Sequence, residues 1–196
     1  MPRLQAADRR RQLLEVAADL FARRGFGGTT TAELAKSAGV TEPILYRHFT
    51  NKLDLFVTLI DQVGAHVIRT WEEALEGVVD PKARLRILVA ANPTTLQRGP
   101  APYRIIVQAI TESERDPAIV SAVGRHVSSL HGFLVAELQN LQEQRVVRND
   151  EPATALAWLL IEVAIGHGML EPSGIAAKSG LTEDRHRLLQ YLLRPP

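Results

Sequence analysis

Residues 30–49, TTAELAKSAGVTEPILYRHF, constrain the fold more than any other stretch of this 196-residue chain. Thr30 followed three residues later by Glu33 is a capping box, in which each side chain satisfies the other residue's free amide. It predicts a short helix over 31–38. Gly39 ends that helix, because glycine takes the positive φ that a tight inter-helix turn needs. Thr41 is placed to cap a second helix over 42–48, and Pro43 is tolerated in its first turn, where amides have no intrahelical acceptor. With Leu34, Ala35, Val40 and Leu45 turned inward, and Ala35 small enough for close approach, the pair is a helix-turn-helix. Its second helix projects N-terminal residues outward, and in DNA readers of this kind those residues meet base edges in the major groove.

The rest of the chain has helical periodicity as well, and no stretch alternates like a strand. Leu13, Leu14, Ala17, Ala18, Leu20 and Phe21 predict a helix over 9–24. Arg23 and Arg24 suit its C-terminal dipole, and Gly25 is a natural stop. Asn51 caps a longer helix over 52–76, with Leu55, Phe56, Leu59, Ile60, Val63, Val67, Trp71 and Leu75 as its stripe. Further helices are expected from Pro81 to Asn92-Pro93, over 103–113, over 117–144, over 153–170, and, after a Thr182 cap, over 183–193. The expected fold is all-α: a three-helix helix-turn-helix domain over 1–52 and a C-terminal helical domain over 53–196. Hydrophobic residues make up 45% of the chain, enough for a real core in each part.

Charge is unevenly spread. Residues 1–52 carry nine Lys/Arg against five Asp/Glu, whereas residues 53–196 carry 14 against 17. A basic head on an acidic body suits a polyanion-binding domain attached to a sensing or pairing domain. Thr30 and Thr31 sit at a helix N-terminus, where free amides and the dipole favour an anion. Tyr46 and His48 lie near the end of the outward helix. Lys52 stands in the first turn of the next helix, where a cation opposes the dipole; a phosphate between the two would resolve that conflict. Arg9, Arg10 and Arg11 read equally as a solvated face or as a phosphate clamp.

Between Leu14 and Leu55 the chain carries Leu20-Phe21, Gly25-Phe26, Thr29-Thr30, Leu34-Ala35, Ala38-Gly39-Val40-Thr41, Leu45-Tyr46-Arg47-His48-Phe49 and Asn51-Lys52. In these elements and their spacing it resembles the N-terminal domain of the TetR family of bacterial transcriptional regulators. Because many spacings agree at once, the resemblance is specific. It implies that Thr31, Tyr46, His48 and Lys52 contact phosphates, and that Thr41, Glu42, Pro43 and Ile44 sit at the groove. Thr30, Ala32 and Arg47 complete the candidate DNA-binding set. Two positions depart from the family: Glu42 is acidic where a basic or small residue is common, and Pro43 replaces a common glycine. Glu42 could accept from a cytosine amino group or repel the duplex. The resemblance further implies a repressor released from its operator by a small effector, although the residues do not separate repression from activation.

In the body, residues 153–170 are apolar nearly all round. They are short for a bilayer span, and Glu162 and His167 interrupt them, so no membrane helix is expected. A helix with no polar face is expected to be buried on all sides, either in a monomer core or between that core and a second copy. In the second case Ala157, Ala164, Gly166 and Gly168, with Leu188, Leu189, Leu192 and Leu193 of the last helix, form a homodimer interface. Two-fold symmetry then calls for a near-palindromic operator. Candidate effector-pocket liners are Trp71, Leu88, Tyr103, Val107, Gln108, Val127, Phe133 and Trp158; the set is as consistent with plain core. Its low polar content suits a largely apolar small molecule.

Enzyme constellations are missing from the sequence. It has no Gly-rich phosphate loop, Gly-x-Ser-x-Gly or His-Glu-x-x-His. The histidines at 48, 66, 126, 131, 167 and 186 form no i, i+4 pair, and there is no cysteine, so neither a metal site nor a cofactor is expected. Met1 to Arg11 are polar and basic with no apolar run behind them, so no secretory signal is expected and the expected location is the cytoplasm. Two readings of function remain: a ligand-responsive DNA-binding regulator, or a helical dimer that binds small molecules with no regulated DNA site.

Overall fold

The computed structural model describes residues 5–90, 102–112, 116–170, 187–189 and 191–195, the side chains at 90, 102, 103, 167 and 168 excepted. Every regular element among them is helical: α1 (Ala6–Arg24), α2 (Thr31–Ser37), α3 (Glu42–Tyr46), α4 (Lys52–Leu75), α5 (Pro81–Ala90), α6 (Pro102–Glu112), α7 (Pro117–Glu143) and α8 (Ala153–Leu170). Residues 187–189 and 191–193 are helical too. The all-α expectation therefore holds, with boundaries that differ by at most three residues. The Thr182 cap and the start of the last helix lie outside the described residues.

Local signals explain the ends. Gly25, at φ 74°, terminates α1. Thr30 and Glu33 form both bonds of the capping box at the start of α2. At its end the Val40 amide donates to Ala35 O (2.9 Å) and the Gly39 amide to Lys36 O (3.1 Å). With Gly39 at φ 66°, this is a Schellman motif, which satisfies two of the carbonyls a helix leaves open. The Asp54 amide donates to the Asn51 side chain (2.8 Å), capping α4. Thr41 occupies the N-cap of α3, but its hydroxyl makes no capping bond; position alone was the correct part of that expectation. At the end of α7, Arg145 takes φ 56° in a second Schellman motif, with the Val146 amide on Leu141 O (2.9 Å).

The chain packs as two compact units, the first holding residues 1–63 and 98–124 and the second 64–97 and 125–196. Both α4 and α7 pass from one to the other. The expected boundary after residue 52 falls inside the first unit, which also includes α6 and the start of α7. Its core is built from Leu13, Leu14, Ala17, Phe21, Leu34, Leu45, Phe49, Leu55, Phe56, Ile60, Ile105 and Ile106. Phe56 stands edge-on to Phe21 with ring centres 5.1 Å apart, and 4.8 Å from Phe26.

The second unit has its own core, in which Val67, Trp71, Leu88, Leu134, Leu138, Leu156, Leu160, Leu189 and Leu193 are buried together. Arg84 clamps this unit. Its guanidinium donates to both Glu137 carboxylate oxygens (2.8 Å each) and to the carbonyls of Leu75, the last residue of α4, and of Val78 just beyond it (3.0 and 3.1 Å). His126 is 5% exposed, and neither ring nitrogen has a partner. It seats against Gly64, where a Cβ would lie 2.6 Å from Nδ1. Burial holds the imidazole below its ordinary pKa.

In α8 burial within the chain itself is one-sided, which does not fit the monomer-core alternative. Ala153, Leu156, Ala157, Leu160 and Ile161 are buried, but Thr154, Ala155, Trp158, Glu162 and Met169 are exposed. The chain's own core covers one side only.

Candidate nucleic-acid interface

On α2 and α3 the apolar positions fold inward and leave the polar ones at the surface. Leu34, Ala35, Ala38, Leu45 and Phe49 are buried. Thr30, Ala32, Thr41, Pro43, Tyr46 and Arg47 are exposed, while Thr31, Glu42, Ile44, His48 and Lys52 are half-buried. The alternation follows from helical spacing: Leu45 and Phe49, four apart, pin one face of the short α3 and its exit to the core, so the faces between them point out. Tyr46 is 47% exposed, and its hydroxyl donates to Thr31 Oγ1 at 3.3 Å. That contact brings the N-terminus of α2 beside the end of α3. Two candidate phosphate-binding groups fifteen residues apart in sequence thus meet in space.

Electrostatics around the α2 N-terminus reinforce this edge. The Thr30 amide holds the Glu33 carboxyl below its ordinary pKa, helped by the Thr30 hydroxyl and Arg24 and opposed by partial desolvation. Arg24 also pairs directly with Glu33, tying the end of α1 to α2. Glu33 is consumed by capping and cannot serve as a free anion toward a ligand.

Lys52 has partners that sequence reasoning missed. Its ammonium donates to Phe26 O and Thr29 O, both at 2.9 Å, and lies 4.3 Å above the Phe26 ring. Two of its three N–H groups are therefore held inside the chain, and one remains. The conflict with the α4 dipole is resolved by carbonyls of the 26–29 turn, with no phosphate required. Arg10 is likewise drawn inward: its guanidinium stacks 4.4 Å from the Phe49 ring centre, with Nη1 buried and unpartnered. Arg10 is thus half-buried, while Arg11 pairs with Asp8 at the surface.

The candidate pocket liners divide between the two units. Trp71 and Leu88 line an apolar cavity of about 20 Å³ in the second unit, with Val89, Leu134, Leu160, Val163, Ala164 and Leu189. That volume holds about one water. Phe133 stacks on Trp71 at 5.8 Å and faces an open groove bordered by Glu72, Glu73, Glu76 and the Arg84–Glu137 pair. Val127 is half-buried and lines neither space. Trp158 is 44% exposed, packed on the His131 ring at 4.6 Å, and lines neither space. Val107 and Gln108 belong to the first unit. The Tyr103 side chain lies outside the described residues.

The expected pairing residues also divide. Ala157 and Leu189 are buried in the chain's own core, and Ala164 lines the small cavity. Leu188 and Leu192 are exposed, as are Met169, Leu170 and Tyr191. Gly168 lies outside the described side chains. Among the described residues no helix is long and apolar enough to cross a membrane.

Comparison with known proteins agrees with this geometry. Residues 13–59 match the family model of bacterial regulatory proteins of the tetR family. The chain is 31% identical over 166 residues to the nucleoid occlusion factor SlmA of Klebsiella pneumoniae, covering 83% of this chain and 81% of that protein. It is 33% identical over 106 residues to the HTH-type transcriptional activator FasR of Mycolicibacterium smegmatis, a match that covers 54% of this chain but 48% of that protein. Among solved structures, a TetR family regulator from Agrobacterium tumefaciens superposes with a TM-score of 0.82 at 20% identity, covering 97% of this chain and all of that one. A transcriptional regulator from Saccharomonospora viridis, solved in complex with choline, gives 0.81 at 23% identity over 94% of this chain and 95% of that one.

Proposed function

The chain belongs to the TetR family of bacterial transcriptional regulators, and on that premise we propose that it is a cytoplasmic homodimeric repressor, released from a near-palindromic operator by a small effector. The observation that carries the DNA-binding part is the sorting of side chains around α2 and α3: every candidate contact is at least partly solvent-accessible, while the apolar Leu34, Ala35, Ala38, Leu45 and Phe49 are buried. In this reading Thr31, Tyr46 and His48 bind phosphates and set register, which positions the head without reading sequence. Thr41, Glu42, Pro43 and Ile44, with Ala32 and Arg47 at the margins, meet the base edges. Lys52 chiefly holds the 26–29 turn and offers its third N–H to a phosphate.

Pairing falls to the exposed apolar residues, Trp158, Met169 and Leu170 of α8 with Leu188, Tyr191 and Leu192, in place of Ala157 and Leu189. A second copy seated there would bury the face of α8 that its own chain leaves open. Two heads about 34–36 Å apart would then enter successive major grooves. The effector reading rests on the apolar cavity beside Trp71. Its walls suit a largely apolar molecule, but small-molecule sites are usually about 300–1,000 Å³. The effector must therefore open the second unit as it binds, and it stabilises the opened state by its preference for it. Activation is the second reading, favoured by the relative FasR, an activator by name.

Selection of bound duplexes from a randomised DNA library at near-physiological salt tests the proposal. A near-palindromic site should be enriched, and Tyr46→Ala should weaken binding to it by about tenfold while remaining folded. Absence of enrichment, or equal binding by the variant, would rule out the assigned interface.

A further inference from the structure

In the first unit, one side chain from α6 reaches the end of α1. Gln108 Nε2 donates to Ala22 O at 3.4 Å, across 86 residues of sequence. Ala22 lies in the last turn of α1, where a helix leaves its carbonyls without internal donors. The Gln108 Oε1 is buried and has no partner. Rotating the carboxamide would set Oε1 against the Ala22 carbonyl, two acceptors face to face, so the NH₂ end is fixed toward α1. A buried unpaired acceptor is a standing cost that a leucine or methionine at 108 would not incur. α6 packs on α1 in any case, and its Ile105, Ile106 and Ala109 supply buried apolar side chains to the unit's core. The amide is therefore superfluous as filler, and its one bond is the contact that α1 receives from it.

That bond continues to the candidate interface within the same unit. Three residues after Ala22 the chain turns at Gly25, whose carbonyl accepts from the Thr29 hydroxyl at 2.9 Å. Lys52 grips the Phe26 and Thr29 carbonyls. Thr30 then caps α2, and Thr31 meets Tyr46. We propose that Gln108 is a positioning residue for DNA binding: from α6 it holds the last turn of α1, and so sets the placement of the 25–30 turn that presents Thr30, Thr31 and Tyr46. It contacts no DNA itself. The proposal rests on the DNA-binding reading above.

The test uses the full chain, the duplex enriched by the wild type, and two variants. Gln108→Met keeps length and removes the donor; Gln108→Glu replaces the donor with an acceptor. Affinity is measured well below both melting temperatures, where a purely structural contribution leaves binding unchanged. The expected result is a loss of about five-fold for Gln108→Met and more for Gln108→Glu. The deficit of Gln108→Glu, taken relative to wild type at each pH, should shrink toward about pH 6, because a buried carboxyl reprotonates readily and regains an O–H donor. Affinities of both folded variants within about two-fold of wild type would overturn the positioning role and leave the DNA-binding reading intact. A wild type that enriches no duplex would overturn both.

Discussion

The packing of Gly64 against His126 makes a quantitative prediction. Glycine within a helix such as α4 costs about 1 kcal/mol relative to alanine, so Gly64→Ala would stabilise a bare helix by that amount. Here the added Cβ would stand 2.6 Å from His126 Nδ1, 3.1 Å from Cγ and 3.2 Å from Cβ. Three atoms along one buried side chain cannot all yield by a small rotation, so the imidazole or a helix axis must move. Overpacking of this kind costs about 1–3 kcal/mol, and the net expectation is a destabilisation of up to about 2 kcal/mol. His126→Ala alone removes packing but also removes two unpartnered nitrogens. In the double variant the new methyl group occupies part of the vacated space. A cycle measured by urea denaturation, at one fixed protein concentration because association shifts the midpoint, should give a coupling of about 1–3 kcal/mol favouring the double variant. If Gly64→Ala raises the midpoint, or the two changes simply add, the account of this contact is wrong.

Other expectations follow from single contacts. Burial depresses the His126 pKa below its ordinary 6.5, so the unfolded chain takes up a proton before the folded one. Stability is then fully present above about pH 6.5 and falls as pH drops below it, a slope that His126→Phe should reduce in denaturation series across that range. Lys52→Met should lower the melting temperature, by the equivalent of about 1–2 kcal/mol, because two carbonyls lose a charged donor; an unchanged melting temperature with weaker DNA binding would restore the phosphate-only role. Arg145→Gly should stabilise by about 0.5–1 kcal/mol, since an L side chain at φ 56° is strained where glycine is not; thermal melts decide it. Arg84→Met should destabilise by about 2 kcal/mol by stranding Glu137 and two α4-end carbonyls, and a neutral result would mean water replaces the guanidinium.

What was legible in the sequence was what acts over three or four residues. The Thr30–Glu33 box, the Asn51 cap, the stops at Gly25 and Gly39 and the stripe of α4 all depend on neighbours within one helical turn, and all are found where expected. Lys52 shows where such reasoning stops. Its unfavourable place on the α4 dipole was correctly noticed, but the groups that compensate it are carbonyls 23 and 26 residues earlier, invisible to any local pattern. The same holds for Gln108 with Ala22 and Arg84 with Glu137. The division of α8 into an inward and an outward side was hidden for a different reason. A stripe tells which face is buried because polar residues mark the other one. Residues 153–170 have no such contrast, so nothing in the pattern distinguishes Ala157, which points inward, from Trp158, which points out. The lack of contrast is itself informative. An isolated chain would gain by placing polar residues at 155, 158 and 169, yet these are Ala, Trp and Met. That composition makes sense if the outward face of α8 is covered in the working protein, and a second copy of the same face, related by two-fold symmetry, covers it without any further component. On that argument Trp158→Glu should shift the protein toward monomer in sedimentation at micromolar concentration. It should weaken binding to a palindromic duplex more than to a half-site, because only the paired molecule engages two grooves at once.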